Sequence, residues 1–315
     1  MTNLMLQRLW TSTQKEPANL ESYKSQWKLC RSQVSGKFNM KHRLISASIA
    51  LPLVLSGIFL GGIWFSFLII FGAVVSAHEL AKMTGSDNNG KTALLSAIIS
   101  GMLVGSAYLY SKHLLRNNPD NWELQLSILS YLLLTLVLVS ILILLVLAKP
   151  RKLNSFFCML SAVGYTGGLL SFSILIRNGD NGLGWIVLLS LIVWANDTGS
   201  YITGKTIGKT PFFPSISPNK TREGAIGGYL LGLVMAIVAG IYVTDGEFTG
   251  LGLFRLILMA IVFVSLAQIG DLFESVLKRR ANIKDSGSIM PGHGGALDRL
   301  DSIVLAFPVL YYFTQ

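Results

Sequence analysis

The chain contains a series of apolar runs, each about as long as a helix that crosses a bilayer, and these runs limit the folds that the chain can adopt. A hydrocarbon core of about 30 Å needs roughly 20 apolar residues per helix. The run 126–147 has that length and contains no charged residue. Because 51% of the chain is hydrophobic and only 13% is charged, with a mean hydropathy of +0.55, these runs are not typical of a soluble protein. The sequence therefore predicts an all-α, polytopic transmembrane protein.

Apolar runs bounded by charges and turn residues predict about nine transmembrane helices. Their expected limits are 44–60, 62–78, 92–110, 126–147, 155–176, 184–203, 224–243, 251–270 and 302–314. The apolar stretch from Leu44 to Ser76 is too long for one span, so we expect two closely joined helices that meet at Gly61 and Gly62.

The distribution of basic residues predicts the orientation in the membrane. If the N-terminus is cytoplasmic, all but four of the 26 Lys and Arg residues lie on the cytoplasmic side, as the positive-inside rule requires. The four exceptions are Lys112, Arg116, Arg177 and Arg255. We therefore expect a basic cytoplasmic arm at 1–43 and a transmembrane domain at 44–315, in the inner membrane of the cell. The net charge of +10 follows from this topology and does not indicate a nucleic-acid partner.

Two of the predicted cytoplasmic segments, 204–223 and 271–301, are longer than simple connections and are expected to carry the chemistry. Four polar side chains at the start of the second segment recur every three or four residues and share one helix face: Asp271, Glu274, Ser275 and Lys278. An acid at membrane depth is costly unless a cation or another partner satisfies it. The alternative is a solvated helix end with an i,i+4 ion pair.

A glycine-rich turn at 291–295 follows, and its glycines allow a close backbone approach to a phosphate. Asp298 and Asp301 then lie one helical turn apart, where acids also act as helix caps. Capping alone does not explain five basic residues in the same segment, which are Lys278, Arg279, Arg280, Lys284 and Arg299. Carboxylates together with cations indicate Mg²⁺ and phosphates.

The segment 204–223 ends in a polar sequence that could grip a polyphosphate, or could simply be a basic loop with a helix cap. Its candidate residues are Ser217, Lys220, Thr221, Arg222 and Glu223. Asp197 lies within an apolar run, where a carboxylate normally faces the bundle interior or a wet cavity. His78 and Glu79 could line the same cavity or merely end a helix.

The order of these residues resembles the C-terminal signature of the phosphatidate cytidylyltransferase family. The matching positions are Ser275, Lys278, Arg279, Lys284, Asp285, Pro291, His293, Gly294, Gly295, Asp298, Arg299 and Asp301. Upstream, the sequence from Ser217 to Gly224 is similar to the family's Ser-Pro-Lys-Lys-Thr-Trp-Glu-Gly segment, and Asp197 belongs to a stretch that resembles Asp-x-x-Ala-Tyr. The chain departs from the pattern at Asn219, where the family has Lys, and at Arg222, where it has Trp.

The resemblance implies the reaction of CTP with phosphatidic acid to give CDP-diacylglycerol and pyrophosphate, carried out by a homodimer embedded in membrane lipids. It also implies a Mg²⁺ ion held by Asp271 and Asp298, and leaves open whether a second cation, Mg²⁺ or K⁺, joins it. The implied catalytic residues are Asp271, Lys278, Arg279, Lys284, Asp285, His293, Asp298, Arg299 and Asp301. The implied substrate-binding residues are Asp197, Ser217, Lys220, Thr221, Arg222, Glu223, Glu274, Ser275, Gly294 and Gly295.

Two other functions are compatible with parts of the sequence. A CTP-dependent kinase for a lipid alcohol would use the same nucleotide chemistry but would transfer the γ-phosphate. An ion-coupled transporter would use Asp197, Asp271 and Asp298 as ion ligands, although it has no need of the Lys-Arg and His-Gly-Gly sequences. A membrane scaffold without a ligand would not keep so many charges beside its spans.

Overall fold

A computed structural model describes residues 40–84, 90–117, 155–214, 216–243, 247–289 and 294–314. The chain divides into two compact units, Met1–Ile45 and Ser46–Gln315. The described residues are mostly helical, as the sequence predicts.

The helices in chain order are α1 (Met40–Leu60), α2 (Gly62–Thr84), α3 (Lys91–Asn117), α4 (Ser155–Ala162), α5 (Leu169–Asn178), α6 (Gly182–Thr206), α7 (Arg222–Val243), α8 (Glu247–Arg280), α9 (Leu297–Val304) and α10 (Ala306–Phe313). A π-helical turn, Val163–Gly168, joins α4 to α5 without a break. Strands β1 (Pro211–Phe213) and β2 (Ser217–Thr221) form a hairpin between α6 and α7.

Six helical stretches in the described part of the chain are long and apolar enough to cross a bilayer. They are Gly62–Thr84, Lys91–Lys112, Ser155–Asn178, Gly182–Thr206, Arg222–Ile241 and Leu256–Arg280. A shorter apolar helix covers Ser48–Leu60, and the predicted span 126–147 lies outside the described residues. Helices of this length and hydropathy identify an integral membrane protein.

The turn between the first two predicted spans is confirmed. Gly61 and Gly62 have φ angles of 64° and 49°, which glycine adopts far more readily than other residues. The Nε atom of Arg177 donates a hydrogen bond to the carbonyl of Ile58 at 3.0 Å, and a side chain at Gly61 would overlap the guanidinium group. The end of α5 therefore closes the junction of α1 and α2.

Helices α6 and α7 pack closely because glycines lie at their contact. A Cβ atom at Gly199 would lie 2.6 Å from the carbonyl oxygen of Gly227, and one at Gly227 would overlap the side chain of Thr203. Small residues allow two helix backbones to approach in this way within a membrane. Since Asp197 lies on α6, this contact also sets the position of one predicted site residue.

A polar network ties α8 to the same pair of helices. The Nε2 atom of Gln268 on α8 donates to Oδ1 of Asn196 at 3.0 Å and to the carbonyl of Ala225 at 3.1 Å. Asn196 is only 2% exposed, so its amide needs such a partner. One side chain therefore links α6, α7 and α8 next to the polar segments.

Two predicted spans differ from the helices of the structure. Helix α8 continues beyond the predicted span limit of 270 to Arg280, as the helical spacing of Asp271, Glu274, Ser275 and Lys278 predicts. The predicted span 302–314 consists of the two short helices α9 and α10. Pro308 explains the break between them, since a proline ring clashes with the carbonyl four residues earlier, here that of Val304.

The β1–β2 hairpin was not predicted. Its strands are antiparallel, and Pro211 lies opposite Thr221 while Phe213 lies opposite Ser217. Prolines at 211 and 218 argue against a strand in the sequence, but each strand of a two-stranded sheet keeps one free edge where a missing N–H is tolerated. The hairpin therefore adds a small β-structure to the fold that the sequence predicts as all-α.

The close contact of α6 and α7 predicts that Gly227→Ala destabilises the protein. The new methyl group would overlap Thr203, and overpacking of this kind lowers the free energy of unfolding by about 1–3 kcal/mol. Gly105→Ala is the matched control, because a Cβ atom there has its nearest neighbour at 4.0 Å. Thermal unfolding in detergent should show a lower midpoint for Gly227→Ala only, and equal midpoints would contradict the glycine contact.

Candidate active site

A polar cavity of about 230 Å³ lies between α6, α8, α9 and the loop after α8. Its lining residues are Asp197, Asp271, Lys278, Asp285, Asp298, Arg299, Asp301 and Ser302. All of these except Ser302 are site residues predicted from the sequence. Asp271 and Asp298 come from different helices, yet both reach this one cavity.

Lys278 joins the two acidic clusters of the C-terminal segment. Its Nζ atom lies 3.0 Å from Oε2 of Glu274 and 2.7 Å from Oδ1 of Asp298. The i,i+4 pair expected on α8 is present, but Glu274 is fully buried. This pair is therefore not the solvated helix end that the sequence left open, and it couples α8 directly to α9.

The carboxylate of Asp298 is held by the loop that precedes α9. Its Oδ2 atom accepts hydrogen bonds from the N–H of Ser286 (2.9 Å), the hydroxyl of Ser286 (3.0 Å) and the N–H of Gly295 (2.8 Å). Burial by itself would raise the pKa of Asp298, but the hydrogen bonds from Lys278 and Gly295 outweigh it and lower the pKa to about 2. Asp298 is therefore ionised at neutral pH.

Two backbone features shape this loop. Asn282 follows α8 with a φ of 56°, a left-handed conformation that asparagine tolerates at the end of a helix. Gly294 has a φ of 85°, and a side chain there would approach Oδ2 of Asp298. The second glycine of the predicted phosphate turn therefore serves in this structure to let the backbone wrap the Asp298 carboxylate.

Glu79 of α2 supports the same loop from another helix. Its carboxylate accepts hydrogen bonds from the hydroxyl of Ser286 (3.0 Å) and from the N–H groups of Ala296 (3.3 Å) and Leu297 (3.0 Å). These N–H groups belong to the start of α9, so Glu79 caps this helix although it is far from α9 in the sequence. The sequence predicts Glu79 only as a residue that could line the cavity or end a helix. The signal for its role was a carboxylate at the end of an apolar run.

Asp271 contacts the other polar segment. Its Oδ2 atom lies 2.6 Å from Nζ of Lys220 on β2, and Arg279 of α8 donates from Nε to the carbonyl of Ile216 at 3.0 Å. Two side-chain contacts therefore tie the hairpin to α8. Arg279 points to the hairpin and is not among the residues that line the cavity.

The remaining residues of the segment 204–223 shape the hairpin. The hydroxyl of Thr221 accepts a hydrogen bond from the N–H of Gly224 at 3.1 Å and caps α7. Glu223 accepts hydrogen bonds from the N–H groups of Lys209 and Thr210 at 3.1–3.2 Å. Arg222 is exposed, and Ser217 lies in β2. These four predicted binding residues do not line the cavity.

Glu274 of α8 and Asp301 of α9 are a pair of buried carboxyl groups that interact electrostatically, and Oε1 of Glu274 has no hydrogen-bond partner among the described residues. Burial raises the pKa of Asp301 above its usual value. Its Oδ1 atom also accepts a hydrogen bond from the N–H of Ser302 at 2.7 Å. Asp197, which lines the cavity from α6, accepts a hydrogen bond from the amide of Asn196 at 3.1 Å.

Two further predicted residues do not line the cavity. Ser275 is buried within α8, and Lys284 is exposed beyond its end. His293 lies outside the described residues, as does the first part of the glycine-rich turn. Among the described residues, the structure therefore brings the five aspartates of the cavity together with Lys278 and Arg299.

The donor chemistry of the cavity fits Mg²⁺. Asp271 and Asp298 offer carboxylate oxygens, and each has a lysine ammonium within 2.7 Å, which shows that both acids attract a cation. In the described part of the chain, no three acidic, histidine or cysteine side chains form a metal site by themselves. Mg²⁺ binds one or two carboxylates in proteins and completes its shell with phosphates and water, so the two acids are of the kind that it requires.

Comparison with known proteins gives the family. Residues 41–315 match the model of the cytidylyltransferase family. A phosphatidate cytidylyltransferase of Staphylococcus saprophyticus is 35% identical over 276 residues, which cover 86% of this chain and 97% of the relative. The protein of the same name from Bacillus subtilis is 33% identical over 281 residues, which cover 87% of this chain and 97% of the relative. This chain belongs to the cytidylyltransferase family.

Proposed function

We propose that this protein transfers the cytidylyl group of CTP to phosphatidic acid and releases pyrophosphate, which supplies CDP-diacylglycerol for phospholipid biosynthesis. The observation that carries the proposal is the convergence of Asp271 and Asp298 with Lys278 and Arg299 in one cavity. The names of the relatives, which match over nearly their whole length, support the choice of CTP and phosphatidic acid and do not favour a kinase or a transporter.

Asp271 and Asp298 would hold Mg²⁺, which when bound would neutralise charge on the triphosphate of CTP. Five carboxylates and only two basic side chains, Lys278 and Arg299, line the cavity. A polyphosphate therefore needs additional positive charge in order to bind there. A second cation, Mg²⁺ or K⁺, would further reduce the excess of negative charge in the cavity.

An oxygen of the lipid phosphate attacks the α-phosphorus of CTP in line, and the bond between the α-phosphorus and the bridging oxygen breaks to release pyrophosphate. Lys278 and Lys220 would leave their carboxylate partners to contact the phosphates, and Arg299 would contribute a third positive charge. A phosphate monoester is mostly ionised at neutral pH, since its second pKa is about 6. The reaction therefore needs no general base, and His293 would either donate a hydrogen bond to a phosphate or order the turn.

The proposed topology has nine spans, a cytoplasmic N-terminus and an active site on the cytoplasmic side of the inner membrane. The asymmetry of basic residues supports it, and the six candidate spans of the described residues are compatible with it. We also propose that the protein works as a homodimer among membrane lipids.

The metal assignment predicts that Asp271→Asn and Asp298→Asn each lower turnover by about 100-fold or more, because each removes a charge that holds Mg²⁺ against the triphosphate. The measurement is Mg²⁺-dependent release of pyrophosphate from CTP and phosphatidic acid by the purified protein. Asp180→Asn is the matched control, because Asp180 is an exposed acid between α5 and α6.

Near-parental turnover in both cavity variants would overturn the metal assignment. The products also test the function itself. Release of CDP in place of pyrophosphate by the parent protein would identify a kinase, and the absence of any CTP turnover would reject the proposed function.

The contact between Arg279 and the hairpin predicts a different kinetic effect. Arg279→Gln frees the carbonyl of Ile216 and loosens Lys220, so we expect the KM for CTP to rise by about tenfold. Arg280→Gln, at the exposed neighbouring position, should leave the KM near the parental value. If both variants raise the KM equally, the general positive charge matters and the hairpin contact does not.

The proposed orientation can be tested at Cys30, one of two cysteines in the chain. A membrane-impermeant maleimide should label it in inverted membrane vesicles but not in intact spheroplasts. Cys158 is 1% exposed and should stay unlabelled in both, which Cys30→Ser would verify. Labelling of Cys30 from the outer side would reverse the topology.

A further inference from the structure

Tyr165 has a buried hydroxyl group that the packing of the protein does not explain. The side chain is 1% exposed, and among the residues that the structure describes its hydroxyl has no hydrogen-bond partner. Burying a hydroxyl without a partner is unfavourable, and a phenylalanine would fill the same space without that cost. The hydroxyl is therefore a candidate for a contact that forms only when a ligand is bound.

The position of Tyr165 links it to the candidate active site. It lies in the π-helical turn Val163–Gly168, and such turns within α-helices are frequent at functional sites. Its ring packs on Phe273 of α8, with ring centroids 5.5 Å apart. The acids that act electrostatically on the phenol are Asp301, Glu274 and Asp271. Tyr165 thus packs on the helix that carries Asp271 and Glu274, and it does not line the cavity itself.

The contacts of Lys278 show which carboxylate would need a new hydrogen-bond donor. In the present structure Lys278 donates to both Glu274 and Asp298. The proposed function, on which this inference rests, moves the Lys278 ammonium to the phosphates of CTP. Glu274 is 0% exposed, so it would lose its cationic partner in a place that water does not reach. A buried carboxylate needs a replacement hydrogen bond.

We propose that Tyr165 is a positioning residue for the reaction: in the substrate-loaded site its hydroxyl donates a hydrogen bond to the buried Glu274–Asp301 carboxyl pair. Tyr165 touches neither the nucleotide nor the lipid. Its hydrogen bond keeps Asp301 oriented toward the cavity after Lys278 has turned to the phosphates. The Tyr165 hydroxyl, which has no partner among the described residues, is the donor for that state.

The test compares Tyr165→Phe with Tyr311→Phe, a buried tyrosine of α10 that is 7% exposed and outside the cavity lining. Turnover of CTP and phosphatidic acid is measured below the unfolding temperature of every variant. We expect Tyr165→Phe to lower kcat by about tenfold or more, as the loss of a hydrogen bond to a charged group predicts, and to raise the KM for CTP, because the hydrogen bond forms when the nucleotide binds. Tyr311→Phe should match the parent.

Thermal unfolding supplies a second readout that does not depend on turnover. Without ligands, Tyr165→Phe should unfold at the parental temperature or above it, because the hydroxyl has no partner in the empty site. With Mg²⁺ and CTP, its thermal stabilisation should be smaller than that of the parent. These two results together with the lower kcat would support the proposal.

Two results would overturn the inference. One is a parental kcat and a parental ligand-induced shift in Tyr165→Phe. The other is a lower unfolding temperature in the absence of ligands, which would show that the hydroxyl already contributes to the empty structure. If the parent protein itself released no pyrophosphate, the proposed function would fail, and this outcome is distinct from both.

Discussion

The structure of the site depends on one ammonium group between two carboxylates. Lys278 bridges Glu274 on its own helix and Asp298 on α9, and both acids are buried or nearly so. Charges at this depth are tolerated only when each has a partner of opposite sign or a set of hydrogen bonds. Because Lys278 serves both acids, α8 and α9 are held at a fixed distance, and the cavity between them follows from that constraint.

The surrounding elements secure the two ends of this bridge. Glu79 of α2 and the N–H groups around Ser286 and Gly295 fix the loop that carries Asp298. The hairpin brings Lys220 to Asp271, and the network around Gln268 holds α6 against α8. Side chains from widely separated parts of the sequence therefore converge on a small volume, which is the preorganisation that electrostatic catalysis requires.

The same contacts explain how a cavity rich in acids is stable. Lysine ammonium groups lie within 2.7 Å of Asp271 and Asp298, and in the proposed reaction Mg²⁺ and the triphosphate would replace these contacts with an equivalent set of opposite charges. An exchange of partners costs less than the creation of new buried charges. The fold thereby gives both acids a cationic partner next to a membrane.

Hydropathy, glycine conformation and the spacing of charges are local properties, so they predict the membrane class, the turn at Gly61 and Gly62 and most of the residues that line the cavity. Other contacts appear only in the folded protein: Glu79 caps α9, Arg279 holds the hairpin, and the hydroxyl of Tyr165 is unpaired among the described residues. Each of these depends on which distant element lies opposite a side chain, and no local pattern contains that information. The spacing of charges predicts that α8 continues past residue 270, but the partners of Asp271 and Lys278 on β2 and α9 follow from the tertiary structure alone.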